Sequence, residues 1–340
     1  MLESFLFTVE AVVPVFILVF AGYFMKRIGF ISDAFVSCCN KFIFNVALPC
    51  LLFKNVGECG FQEAFNPKIM LFSVVSICSL CFFLMWLVPR FEKDLKKCGA
   101  SVQAMFRSNF ILLGLPLVIN ISGEENAGSA AALIAVAIIS FNFLATVCLE
   151  YFSNRQKQVA QRGRAGLSPQ TDVQEERARK RRNLGRLLLS ILKNPLIIAS
   201  VVGILYSLSG WELPNLIQKP IYDVAGIATP LALITIGGQF NFQSAKNNRL
   251  CIAVATFVKL VAVPLVFVTL SVLLGFRGAD LAGLFVFFAA PTAVSSYIMA
   301  QDMNSDGELA GQLVIFTTLF SALSIFLGVF ILRSLQLVGG

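Results

Sequence analysis

The sequence contains no histidine. That removes His-ligated metal sites, Ser-His-Asp and Cys-His nucleophile systems, and histidine proton relays. Of its nine cysteines only Cys78 and Cys81 have CxxC spacing, and they lie inside an apolar run, as do Cys50, Cys148 and Cys251; Cys38 and Cys39 are adjacent. They read as reduced, buried small hydrophobes rather than a disulfide framework. HExxH, GxSxG and P-loop patterns are absent, as are paired aspartates inside an apolar run. No enzyme, no metal and no cofactor is therefore expected. Charge is scarce as well, at 14% of residues, against about 25% in soluble domains.

Apolar length is what the chain has in abundance. Hydrophobic residues make up 57% of its 340 positions, and the mean hydropathy is +0.80. The excess lies in long runs, which predicts an all-α polytopic membrane protein. The net charge of +8 gathers mainly in one loop. Such a loop beside membrane spans marks the cytoplasmic side and is not read as a nucleic-acid surface. The start of the chain has no basic region followed by a small-residue cleavage site, so its first apolar run is read as a span.

Ten spans are expected. The first five are Phe5–Met25, Phe35–Phe53, Lys68–Val88, Ala104–Ile121 and Ala127–Leu149. The basic loop Tyr151–Lys193 follows, and then Asn194–Ser209, Pro220–Phe240, Leu250–Leu274, Leu281–Ala300 and Leu309–Leu332. Each is near the roughly 17–25 residues that cross about 30 Å of hydrocarbon. Pro14 and Pro49 are separated by the same interval as Pro195 and Pro230, and Pro116 matches Pro291 with a slip of a few residues. This divides the chain into two five-helix repeats, 1–150 and 194–340, joined by 151–193. An odd number of spans per repeat makes the second repeat enter the membrane from the opposite side, giving inverted topology.

Lys and Arg placement sets the orientation. Lys26, Arg27, Lys41, Arg90 through Arg107, the central loop, Lys246 and Arg249 fall on one side. The other side holds only Lys54, Lys68, Lys219, Arg277 and Arg333. The basic side is read as cytoplasmic and both termini as outside. The segment Gln301–Glu308 dissents, carrying Asp302, Asp306 and Glu308 without a base. The basic loop serves as a topology determinant, with anionic lipid as a further partner.

Spans four and nine each carry a proline at mid-length, Pro116 and Pro291. A helix broken at membrane depth is tolerated only where protein or a wet cavity covers its freed peptide groups. Two breaks in corresponding halves point to the substrate site of a secondary transporter, whereas either proline alone is equally well a simple kink. Proline suits the first position of a second half-helix. Leu117–Val118 and Thr292–Ala293 would then present amides, and a positive dipole end, to a small anion. Asn109, two turns before Pro116, and Asn120, Ser295, Ser296 and Tyr297 are the nearest polar groups. For Asn120, Ser295 and Tyr297 an ordinary interhelical hydrogen bond is the competing reading. Lys259 lies roughly 13 Å into its span, and Asp302 follows the second break; both are ion-coupling candidates. Whether a proton, sodium or no ion at all is coupled is not readable, and neither is association into a homodimer.

The motifs FNVALPCLLF (Phe44–Phe53), SNFILLGLPL (Ser108–Leu117), KNPLIIASVVGILYSLSGWELP (Lys193–Pro214), IATPLALITIGGQF (Ile227–Phe240), AAPTAVSSYIMA (Ala289–Ala300) and TTLFS (Thr317–Ser321) resemble the auxin efflux carrier family. That family includes plant auxin exporters and bacterial permeases such as malonate carriers. The resemblance implies two inverted five-helix repeats, helices four and nine crossing at prolines, and elevator-like alternating access. It also implies an organic anion as substrate, with Asn109 in the binding region. Where the family often has a second proline or an asparagine in the ninth-helix motif, this chain has Thr292 and the serines Ser295–Ser296. The short central loop is of the bacterial permease type, placing the protein in the inner membrane.

The alternatives belong to other classes. A channel would show repeated polar rings along a pore rather than two isolated breaks. A sensor on a transporter fold would be expected to carry an appended soluble domain.

Overall fold

A computed structural model describes residues 2–58, 66–110, 118, 127–165, 185, 189–211 and 213–338. Among them every regular element is helical. The helices are α1 (Leu2–Arg27), α2 (Asp33–Gly57), α3 (Pro67–Leu87), α4 (Leu95–Phe106), α5 (Ala127–Ala165) and α6 (Pro195–Ser209). They continue with α7 (Asn215–Gln239), α8 (Phe242–Asn247), α9 (Arg249–Leu273), α10 (Gly278–Ala289), α11 (Ser295–Asp302) and α12 (Gly307–Ser334). Among the described residues six stretches are long and apolar enough to cross a membrane: α2, α3 extended to Arg90, Ala132–Val159 of α5, α7, α9 and α12. The protein is a multi-pass membrane protein.

Side-chain caps fix where several helices begin. Ser32 Oγ accepts from the Phe35 amide at 3.2 Å, Asn194 Oδ1 from Leu196 at 2.9 Å and Asp306 Oδ1 from Leu309 at 2.9 Å. Each satisfies an amide that the helix cannot pair internally. Inside α2 and α9 the ladder widens into π-helical turns at Ile43–Ala47 and Val258–Ala262. Pro49 and Pro264 follow them. A proline offers no N–H and crowds the carbonyl four residues earlier, and a local π turn absorbs the slip.

α1 packs along α7, and α2 along α6. The α1–α7 crossing depends on Gly22 and Gly237: a Cβ on either would collide with the backbone carbonyl of Ile234 or Val19. Without a hydrophobic drive between helices in lipid, such close backbone approach through small residues is a main source of association.

Several boundaries differ from the sequence reading, among them the start of α7 at Asn215, which leaves Pro220 inside the helix. The fourth helix begins at Leu95, not Ala104, because Lys96 and Lys97 occupy its first turn instead of a loop. Its first interruption falls at Arg107–Asn109, before Pro116, where Asn109 meets the second break. α5 runs on to Ala165, so the first part of the basic stretch is helical.

Candidate functional site

The two interruptions meet inside the helical body. Between α10 and α11 the chain is non-helical around Pro291, just as it is at Arg107–Asn109 after α4. The Asn109 amide donates to the Pro291 carbonyl at 2.7 Å. Thr292 Oγ1 donates to the Ala104 carbonyl at 2.8 Å, supplying a partner to the C-terminal end of α4. The Thr292 amide donates to Thr317 Oγ1 on α12 at 3.2 Å. Peptide groups freed by each break are thus satisfied partly by the other, as irregular backbone at membrane depth requires.

A cavity of about 160 Å³ lies against this junction. Arg107, Ser108 and Asn109 line it from the first break, and Ala293, Val294 and Ser295 from the second. Asn55 of α2, Asn142 of α5 and Thr229 of α7 add polar groups to walls of Leu48, Leu52, Phe141 and Leu196. Phe141 in turn stacks on Phe287 with ring centroids 5.2 Å apart.

Arg107 is the dominant charge. It is 3% exposed. Its Nη2 donates to Asn142 Oδ1 and to Ser295 Oγ, each at 2.6 Å. Its Nη1 contacts Met299 Sδ at 2.7 Å. Gln103, with its amide turned to face the guanidinium, accepts from Nη1 at 3.0 Å and donates to the Ser296 carbonyl at 3.3 Å. All these partners are neutral, and among the described residues no carboxylate pairs with Arg107. Removing an ion from water costs several kcal/mol even after relaxation, so neutral partners leave this cation short of compensation. Beside it, the buried Ser108 hydroxyl has no hydrogen-bond partner among the described residues.

Sequence reasoning placed Arg107 with the cytoplasmic bases. The structure corrects this: α4 starts earlier and runs twelve residues, about 18 Å, which carries Arg107 deep into the body. The readable signal was its position directly before SNFILLGLPL. Of the residues singled out from sequence, Asn109 and Ser295 line the cavity. Thr292 and Ser296 are buried in its support, the Ser296 hydroxyl without a hydrogen-bond partner among the described residues. Pro291 holds the junction through its carbonyl but does not start the second half-helix, since α11 begins at Ser295. The Thr292 amide is already engaged, so it is not a free donor for an anion. Pro116, Leu117 and Asn120 lie outside the described residues.

Lys259 stands apart from the cavity. It is 0% exposed, and its Nζ donates to the Phe288 carbonyl at 3.2 Å. That carbonyl belongs to the last turn of α10, so the amine sits against the negative end of the first half-helix, which favours its charged form. Tyr297 ties α11 to two neighbours, accepting from Asn40 Nδ2 at 3.0 Å and donating to Gln239 Oε1 at 2.7 Å. At the end of α11 Asp302 is half-buried; burial raises its carboxyl above the ordinary range, and Lys41 opposes the rise.

A bundle of apolar helices with two interlocked breaks beside an Arg107-lined cavity has the architecture of a membrane transporter. The family comparison agrees. The family model described as membrane transport protein matches residues 7–329, and the chain belongs to this family, the auxin efflux carriers. An uncharacterized transporter of Methanothermobacter thermautotrophicus is 23% identical, covering 94% of this chain and 97% of its own. A putative malonate transporter of Rhizobium meliloti is 24% identical, with 95% of both chains covered. Auxin efflux carrier component 8 of Arabidopsis thaliana is 21% identical over 92% of this chain and 94% of its own.

Proposed function

We propose that the protein is a secondary active transporter of a small organic anion, a carboxylate, which binds in the crossover cavity and is released by alternating access. The observation that carries this reading is Arg107, a buried guanidinium on the cavity wall with only neutral partners. A carboxylate would supply the missing charge and accept a charge-assisted pair of hydrogen bonds. The Ser108 hydroxyl, without a partner among the described residues, offers a further donor. The size is compatible: an apolar cavity of about 150 Å³ takes a benzene molecule, so about 160 Å³ suits a short mono- or dicarboxylic acid. The relative named as a putative malonate transporter is consistent with that class.

The same reading holds that the chain forms ten spans as inverted repeats, 1–150 and 194–340, joined by the basic cytoplasmic segment 151–193. Both termini lie outside the inner membrane. The reciprocal pairing of helix one with seven and two with six supports the exchange symmetry expected of such repeats. Lys259 occupies the carbonyl end of α10, where broken-helix carriers bind a coupling cation. With that position held by a tethered ammonium, the proton is the coupling ion and Asp302 its candidate carrier.

The test is uptake of labelled malonate and related acids into proteoliposomes under imposed proton or sodium gradients. Saturable uptake of one acid, driven by a proton gradient and unaffected by exchanging sodium for choline, is expected. Non-saturable flux would instead indicate a channel. No uptake of any carboxylate by folded protein would overturn the substrate class.

A further inference from the structure

A second recess, of about 640 Å³, opens between α8–α9 and α12, away from the crossover. Its walls are apolar, with Ile252, Phe257 and Leu260 facing Phe316, Phe320 and Leu327. The lining positions Arg249, Ile252, Thr256 and Leu260 on α9, and Phe316, Phe320, Leu323 and Leu327 on α12, recur every three or four residues, so one face of each helix forms a continuous slot. Asn248 Nδ2 donates to Gln312 Oε1 at 3.2 Å, pinning the ends from which both helices run.

That end is basic. Lys246 and Arg249 line the recess there. Both are exposed, and among the described residues no acidic side chain pairs with either. Further along the slot is Thr256, 8% exposed. Its buried hydroxyl has no hydrogen-bond partner among the described residues. A buried hydroxyl left unpaired is costly, and an oxygen acceptor from a ligand would relieve it.

Two unpaired cations, then a hydroxyl lacking an acceptor, then a long apolar slot match an amphipathic anion in that order. We propose that this recess binds one anionic phospholipid: its phosphate against Lys246 and Arg249, an ester carbonyl accepting from Thr256 Oγ1, and an acyl chain along α9 and α12. Basic recesses between membrane helices suit anionic head groups, and the attraction adds to burial of the chain. A second copy is the poorer occupant. Two-fold docking about an axis normal to the membrane would bring both pairs of cations to the same depth, like charge against like.

Native mass spectrometry of the delipidated full-length protein, titrated with phosphatidylglycerol, phosphatidylethanolamine or phosphatidylcholine, tests this. Wild type should retain one phosphatidylglycerol per chain, at least tenfold more strongly than either zwitterionic lipid. The double variant Lys246→Gln/Arg249→Gln should lose that preference. Thr256→Val should weaken retention several-fold while keeping it. Ala253→Trp, on the exposed wall, should block binding of all three lipids. Equal retention of the three lipids by wild type, or an unchanged preference in the double variant, would overturn the proposal. So would a wild-type dimer that Ala253→Trp dissociates, which would assign the recess to a second copy. Circular dichroism and monodisperse elution establish that each variant is folded; if Ala253→Trp is not, the charge variant decides alone.

Discussion

The backbone amide of Asn109 donates to the carbonyl of Pro291 at 2.7 Å. Two residues a little over half the chain apart in sequence thus join through their peptide groups, at the point where both helices are interrupted. Around that bond the broken ends find partners: Thr292 of the second break serves the α4 end at Ala104, and Lys259 of α9 serves the α10 end at Phe288. Predictions follow from which of these groups face the cavity and which hold it.

Arg107→Gln should keep the helical content and lose the substrate. Truncating one member of a buried charged pair costs about 2–5 kcal/mol, so binding of the transported acid should weaken at least thirty-fold or so. Arg107→Lys should recover only part of this, because one ammonium cannot reproduce a bidentate fork. Titration of the acid by isothermal calorimetry measures both; wild-type affinity in Arg107→Gln would refute the charge-pairing role.

Thr292→Val keeps the side-chain shape and deletes the hydroxyl bonded to Ala104. An unsatisfied buried acceptor costs about 1–3 kcal/mol, so the thermal midpoint should fall while the cavity lining is unchanged. A bulky residue such as Phe at this fully buried position should abolish binding through displacement of the junction. Thermal unfolding in detergent, alongside substrate titration, separates the two effects.

Lys259→Ala removes both a side chain from a closed site and the partner of the Phe288 carbonyl, and stability should drop by about 2–5 kcal/mol. Lys259→Met fills the volume without a charge to desolvate and should cost much less. Uptake should nevertheless fall in both, since the C-terminal end of α10 loses its cation. Normal proton-driven uptake by a stable Lys259→Met protein would remove Lys259 from the coupling machinery.

Asp302 gives a pH signature. Burial raises its carboxyl above the value in an unfolded chain, with Lys41 opposing. The folded state therefore holds this proton more tightly, and the contribution to stability is favourable at low pH and lost as pH rises through the raised value. Asp302→Asn should flatten that dependence and raise stability at neutral pH. It should also uncouple uptake from an imposed proton gradient. Retained proton drive would show that the proton travels by another route.

Gly237→Leu should break the α1–α7 crossing, because its side chain would meet the Val19 carbonyl. Overpacking typically costs about 1–3 kcal/mol, and collision with backbone places this substitution at the upper end or beyond. A loss of monodisperse protein on size exclusion is the expected readout.

The apolar runs alone were enough to establish a helical membrane protein, since lipid leaves a chain few ways to satisfy its peptide groups. Most helix bounds were legible for the same reason: caps such as Asn194 and Asp306 stand where the hydropathy changes. The matched prolines and the family motifs also pointed to the transporter class that the comparison shows. What sequence could not convey was which polar group inside that frame faces which. Arg107 looked like one base among several near a membrane surface, and only the earlier start of α4 buries it beside Asn142 and Ser295. Thr292 looked like a ligand donor, and only the packing of α12 and α4 spends its amide and hydroxyl on Thr317 and Ala104. Hydropathy and periodicity are local sums along the chain, whereas these contacts join residues far apart in sequence. Their energies exist only once the helices have closed upon one another.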